Sequence, residues 1–123
     1  MYFNEDLILD IRLHELNDKV DRFVIAESSF THSGSKKDFN FKIENYKKFK
    51  DKIEYIQIDH NPNDLWEYSE KDTTELKSMK MIENALKIEN FQRNYLSEGL
   101  NNADGNDIIL VSDLDEIPNL EKV

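Results

Sequence analysis

The chain has 123 residues, with 16 Lys and Arg against 26 Asp and Glu, a formal charge of -10 and no cysteine. That length suits one domain burying roughly two thirds of its unfolded surface, without disulfides, thiolate zinc or a cysteine nucleophile. The acid excess opposes phosphate-backbone binding, so nucleic acid is not an expected partner. No window reaches the roughly 18 apolar residues of a membrane helix and no basic-then-apolar leader opens the chain, so the sequence reads as cytoplasmic, with no transmembrane segment.

Residues 6–19 carry Leu9, Leu13, Leu16 and Val20 at helical spacing with charged residues between, which predicts an amphipathic helix capped by Asn4 or Asp6. Residues 22–27 form a short apolar run suited to a strand covered on both sides. A Ser/Thr/Gly loop over 31–37 leads to a short helix over 41–51, with Ile43, Tyr46 and Phe49 on one side. Residues 53–58 alternate as an edge strand does. After turn residues at 61–64, Thr73 or Thr74 opens a long helix running to about Leu100, with Leu76, Met79, Ile82, Leu86, Tyr95 and Leu96 as its apolar side. A third apolar run, 107–112, predicts another strand.

Strands alternating with helices predict an α/β fold: a Rossmann-like, mostly parallel sheet with helices on both faces. Ligands in such sheets sit at the carboxyl ends of the strands. Glu27-Ser28, Asp59-His60 and Asp113-Leu114-Asp115 are all expected at that edge.

Charge is uneven along the chain. Seven Lys face four acids between 36 and 54, most simply a solvated surface, whereas six acids face one Lys between 104 and 123. Asp113 and Asp115 follow an apolar run directly, with Glu116 beside them and Pro118 closing the turn. Two carboxylates one residue apart suit a divalent cation that must keep positions open for phosphate oxygens. A bare Asp-x-Asp in a chain this acidic is otherwise a pair of solvated loop residues. His14, His32 and His60 have no partner at metal-ligand spacing and read as ordinary surface. Trp66 reads as core unless it is exposed near the crevice, where it can stack on a sugar.

The run Asp107-Ile-Ile-Leu-Val-Ser-Asp-Leu-Asp-Glu-Ile-Pro-Asn119 resembles the signature of glycosyltransferase family 17, the β-1,4-mannosyl-glycoprotein 4-β-N-acetylglucosaminyltransferases that add bisecting GlcNAc, and their bacterial relatives. Phe3-Asn-Glu5, Ile11-Arg-Leu13, Glu15-Leu16, Phe23-Val-Ile-Ala-Glu-Ser28, Thr31, Gly34, Gln92-Arg-Asn94 and Gly99-Leu100 fit the same family in order and spacing, although the segment 66–91 is longer than usual for it.

The resemblance implies a GT-A-like donor-binding domain over residues 1–123. Asp113 and Asp115 would hold Mn2+ or Mg2+ against the diphosphate of a UDP-sugar such as UDP-GlcNAc. Glu27, with Ser28, would face the uridine. Arg93 would meet the diphosphate, or else form a surface ion pair with Glu89 or Asp107. Glu116 would support the metal from behind or cap the next helix, and Arg12 matches the family but also suits a structural salt bridge. The implied activity is inverting transfer of N-acetylglucosamine or a related sugar to a glycan hydroxyl. The acceptor part and the catalytic base are expected downstream of residue 123. Two other readings stand beside it: a truncated non-catalytic nucleotide-sugar-binding or interaction domain, and a fragment of a haloacid-dehalogenase-like phosphatase. The phosphatases share the Asp-x-Asp but usually carry it near the start of the chain and follow it with a small residue, where Ile117 stands here.

Overall fold

The computed structural model describes residues 1–3 and 5–122. In chain order it contains helix α1 (Asp6–Leu16), strand β1 (Phe23–Ser28), a 3₁₀ stretch Ile43–Lys52, strand β2 (Ile53–Ile58), helix α2 (Thr74–Tyr95), and 3₁₀ turns Leu96–Leu100 and Leu120–Lys122. β1 and β2 pair in parallel, with Phe23 opposite Ile53 and Ser28 opposite Ile58, so both strands present their carboxyl ends at one edge.

α1 turns Leu9, Leu13 and Leu16 inward, as their spacing predicts. They pack with Tyr2, Phe23, Ile25, Phe41, Tyr46 and Phe49 in the main core. The expected cap differs. The helix starts behind Glu5 with no side-chain cap bond. Asp6 is drawn instead into the core margin, where its Oδ1 accepts the hydroxyls of Tyr2 at 2.6 Å and Tyr46 at 2.9 Å. Burial, then Asp6, push both phenols far above their ordinary range. Asn4, the other expected cap, lies outside the described residues. At the far end Lys52 donates to the carbonyls of Asn17 and Val20, placing a cation at the negative end of the helix dipole.

The short helix expected over 41–51 forms as a 3₁₀ stretch interrupted at Tyr46, whose φ of -128° is not helical. The break lets Tyr46 and Phe49 both point into the core. β2 occupies the residues predicted for it.

α2 departs most from expectation. Thr73 caps it by accepting the Leu76 amide, as predicted, and the helix gives way to a 3₁₀ turn after Tyr95. Its buried residues, however, are Asn84, Ile88 and Gln92, while Leu76, Met79, Ile82 and Leu86 face solvent. The polar side of the helix is instead occupied by bonds to the loops beside it. Asn84 takes both the amide and the carbonyl of Trp66, Lys80 reaches the Glu67 carbonyl and Asp72, Lys87 reaches the Asp64 carbonyl, and Gln92 donates to the Phe30 carbonyl. The polar side of the helix therefore straps down two loops, and the apolar side is left outward. Trp66 is correspondingly not core. It is 47% exposed, with Lys87 Nζ 5.2 Å from its ring centre and its indole N–H on Glu83.

Residues 107–112 do not form the third strand, which corrects the expected Rossmann-like sheet to a two-stranded one among the described residues. Ile108 is 96% exposed, and Ile109, Leu110 and Val111 are exposed as well. A strand needs a ladder partner, and the outer edge of β1 carries one backbone bond of another kind, from the Tyr2 amide to the Ala26 carbonyl at 2.8 Å. The architecture is a mixed helix-and-strand one of the α/β kind with a small parallel sheet. Among the described residues no helix is long and apolar enough to cross a membrane.

Candidate functional site

The carboxyl edge of the sheet is built first by β1. Glu27 and Ser28 end that strand and are both fully buried. Glu27 Oε2 accepts Lys37 Nζ at 3.1 Å and the Asn40 amide at 2.7 Å, while Oε1 accepts the Phe41 amide at 3.0 Å and the Tyr55 hydroxyl at 2.7 Å. Burial pulls this carboxyl upward, but the two amides, the phenol and the ammonium more than offset it, so Glu27 lies below the usual carboxylate range. With two donors on each oxygen and no exposure, no lone pair is left for a uracil N–H, contrary to the uridine-facing role expected of this residue. Ser28 also turns inward, its Oγ accepting the Phe30 amide. What opens at this edge is a cleft of about 420 Å³ lined by Ser29, Phe30, Lys36, Lys37, Asp38 and Asp59. Asp59 and His60 lie just past β2 as expected, paired with each other at 2.9 Å, a contact that lowers the Asp59 carboxyl.

The acidic motif is positioned without a strand. Arg12, half-buried on the face of α1 next to Leu13, sends Nη1 to the carbonyls of Asp113 at 3.0 Å, Leu114 at 3.5 Å and Glu116 at 3.0 Å, and Nη2 to Ser112 Oγ at 2.7 Å. The loop closes on itself as well: the Glu116 amide donates to the Asp113 carbonyl, and the Asp113 amide donates to Glu116 Oε2 at 3.1 Å. Glu116 thus fixes the turn that carries Asp113 and caps no following helix. Burial lowers the Arg12 guanidinium from its ordinary value, and Glu116 counteracts it.

Arg93 forms the expected ion pair with Glu89 and a second one, not expected, with Asp113. Its Nη2 lies 3.0 Å from Glu89 and 3.2 Å from Asp113 Oδ1. Arg93 adjoins Gln92, which holds the Phe30 carbonyl beside the cleft, so α2 ties the acidic loop to the carboxyl edge. Asp113 and Asp115 both face solvent. Two exposed carboxylates are hard oxygen donors, the ligand type that a cation such as Mn2+ or Mg2+ takes. Among the described residues no third His, Cys, Asp or Glu joins them to complete a cage. The histidines lie apart, His14 against Asp10 and Phe49, His32 against Phe3, and His60 against Phe91 and Tyr95.

Sequence reasoning missed Arg12 as the hub of the acidic loop. Its place on α1, beside the buried stripe yet not in it, was a signal, but its partners are backbone carbonyls roughly a hundred residues away, which leave no mark in sequence. It also missed that Glu27 is consumed by its own loop.

Comparison with known proteins agrees with the family resemblance. The chain is 28% identical to β-1,4-mannosyl-glycoprotein 4-β-N-acetylglucosaminyltransferases of Homo sapiens, Rattus norvegicus and Mus musculus, in matches that cover 90% of this chain. It spans about 19% of the length of these relatives. No solved structure matches it. The family match runs over residues 1–123, from the Tyr2 edge bond through the acidic loop, and the chain belongs to glycosyltransferase family 17.

Proposed function

We propose that this chain is the donor-binding part of an N-acetylglucosaminyltransferase-type glycosyltransferase. It receives a UDP-sugar, UDP-GlcNAc by preference, between the carboxyl-edge cleft and the acidic loop, for inverting transfer to a glycan hydroxyl. In such a transfer the acceptor oxygen forms a bond to the anomeric carbon as the bond to the diphosphate breaks. A bound Mn2+ or Mg2+ supplies Lewis-acid stabilisation of the departing diphosphate. The chain's own residues present Asp113 and Asp115 toward that ion, hold their loop by its carbonyls through Arg12, and offer the Arg93 guanidinium to diphosphate oxygens. The base that takes the acceptor proton is assigned to no residue of this chain.

The observation that carries this reading is the acidic loop itself: one arginine fastens it at three backbone carbonyls and at the Ser112 hydroxyl while its two aspartates stay in solvent. Family membership favours the transferase over the phosphatase reading.

The test is thermal unfolding with Mn2+ alone and then with UDP-GlcNAc, UDP-glucose, GDP-mannose or inorganic phosphate. A ligand at 100 times its dissociation constant adds about 2.7 kcal/mol, which is a shift of several degrees in a domain this small. A metal-dependent rise with uridine nucleotides alone is the expected outcome. A cooperative melt that no sugar nucleotide moves would favour a non-catalytic domain.

A further inference from the structure

Among the described residues Glu27 is the one charged residue that is wholly buried, and three of its four donors come from the return limb of a single loop. That loop leaves β1 at Ser29, turns at Gly34, whose φ of 89° suits a residue without Cβ, and comes back through Lys36 and Lys37. Its outgoing and returning limbs touch at the Phe30–Lys36 bridge and at the bond from the Lys37 amide to the Ser29 carbonyl. Beyond Lys37 the backbone is in no helix or strand until Ile43. There the Asn40 and Phe41 amides end on Glu27, and Phe41 is pressed against Tyr2, Tyr46 and Tyr55. Lys37 and Asp38, which precede these anchors, line the 420 Å³ cleft together with Ser29, Phe30, Lys36 and Asp59.

We infer that Glu27 is a positioning residue of the donor site: it straps residues 37–41 to the end of β1 and so holds Lys37 and Asp38 in the lining of the cleft, without touching the nucleotide. This rests on the donor-binding reading above. A carboxylate that reads a base must offer it a lone pair, and Glu27 has spent all of its own inside the fold. Discrimination among bases therefore belongs to the cleft walls, and Glu27 acts on all nucleotides alike.

The experiment compares the wild-type chain with Glu27→Gln and Tyr55→Phe. It measures amide hydrogen exchange at Asn40 and Phe41 against Ile25 and Ala26, together with Mn2+-dependent binding of UDP and of GDP. Replacing a charged acceptor loosens bonds of the stronger, charge-assisted kind, so Glu27→Gln is expected to speed exchange at Asn40 and Phe41 about tenfold or more. Exchange at Ile25 and Ala26 should hold, and both nucleotides should weaken by a similar factor, so that the preference for UDP is kept. Tyr55→Phe removes one donor and retains the carboxylate; it should show the same pattern at smaller amplitude, and it decides the matter if Glu27→Gln does not fold. Unchanged exchange at Asn40 and Phe41 in the folded variants overturns the strap. Loss of the UDP preference with exchange unchanged would make Glu27 a direct base contact and overturn the inference. A wild-type chain that binds neither nucleotide overturns the donor reading and the cleft's role with it, and the exchange data then judge the strap alone.

Discussion

Glu27 and the Asp113–Asp115 pair are carboxylates near the same end of the molecule, and the chain uses them in opposite ways. Glu27 is sealed from water and saturated through its side chain, so its charge is spent on holding a loop. The acidic turn is held largely through its backbone, by Arg12 and by the Glu116 carboxylate, which among the described residues leaves Asp115 without a hydrogen-bond partner and Asp113 paired with Arg93. A carboxylate serves a ligand when the fold anchors something other than its oxygens.

The comparison breaks hardest at Glu27. Glu27→Leu removes the acceptor of four donors and leaves buried amides unpaired, so the domain should lose about 3–5 kcal/mol in a denaturant titration. A loss under about 1 kcal/mol would mean that water replaces the carboxylate readily. Acid gives a milder version of the same change. The folded carboxyl of Glu27 is depressed, so its contribution is complete above the unfolded value of about 4.3 and disappears as pH falls through the lower, folded value. Unfolding followed between neutral and strongly acidic pH should therefore show a drop in wild type that is reduced in Glu27→Gln.

Arg12→Met sharpens the other side. It keeps much of the aliphatic stem but removes every donor to residues 112–116, which is expected to cost about 1–2 kcal/mol. It should also weaken metal-dependent UDP binding roughly tenfold, the loss equivalent to about 1.4 kcal/mol. Smallest in stability is Asp115→Asn, expected within about 0.5 kcal/mol of wild type because the side chain is exposed. Metal-dependent nucleotide binding should vanish in this variant, and retention of Mn2+-dependent UDP binding would remove Asp115 from the metal assignment.

Local chemistry was legible where it decided local structure. The alternation over residues 53–58 and the Thr73 cap translate directly into β2 and the start of α2, and the Leu9, Leu13 and Leu16 stripe into the buried side of α1. What depended on distant partners was not legible. Periodicity places Met79, Ile82 and Leu86 on one side of α2 but does not say that loop carbonyls from Asp64 to Glu67 compete for the other side and win. An apolar run at 107–112 states a preference for extended backbone, yet among the described residues it pairs with neither outer edge of the two-stranded sheet. The acidic motif was recognisable because its meaning lies in adjacent residues. Its anchoring was not, because three of the four Arg12 contacts are to main-chain carbonyls, which leave no mark in sequence. Glu27 was placed at the correct edge and given the wrong neighbours, since three of its four donors belong to a loop whose course sequence does not specify.

The 3₁₀ turn that follows α2 crosses β1 at Gly99, where an added Cβ would stand 2.4 Å from a Val24 methyl carbon. This contact makes α2 a lever. Its 22 residues extend about 33 Å, and its carboxyl end is seated on the sheet where Gly99 meets Val24. A tilt of about 5° about that seat carries the opposite end of the helix by roughly 3 Å while Arg93, near the fulcrum, scarcely moves. Whatever pushes on the solvent-facing stripe of Leu76, Met79 and Ile82 therefore acts on the long arm, and the guanidinium beside Asp113 sits on the short one.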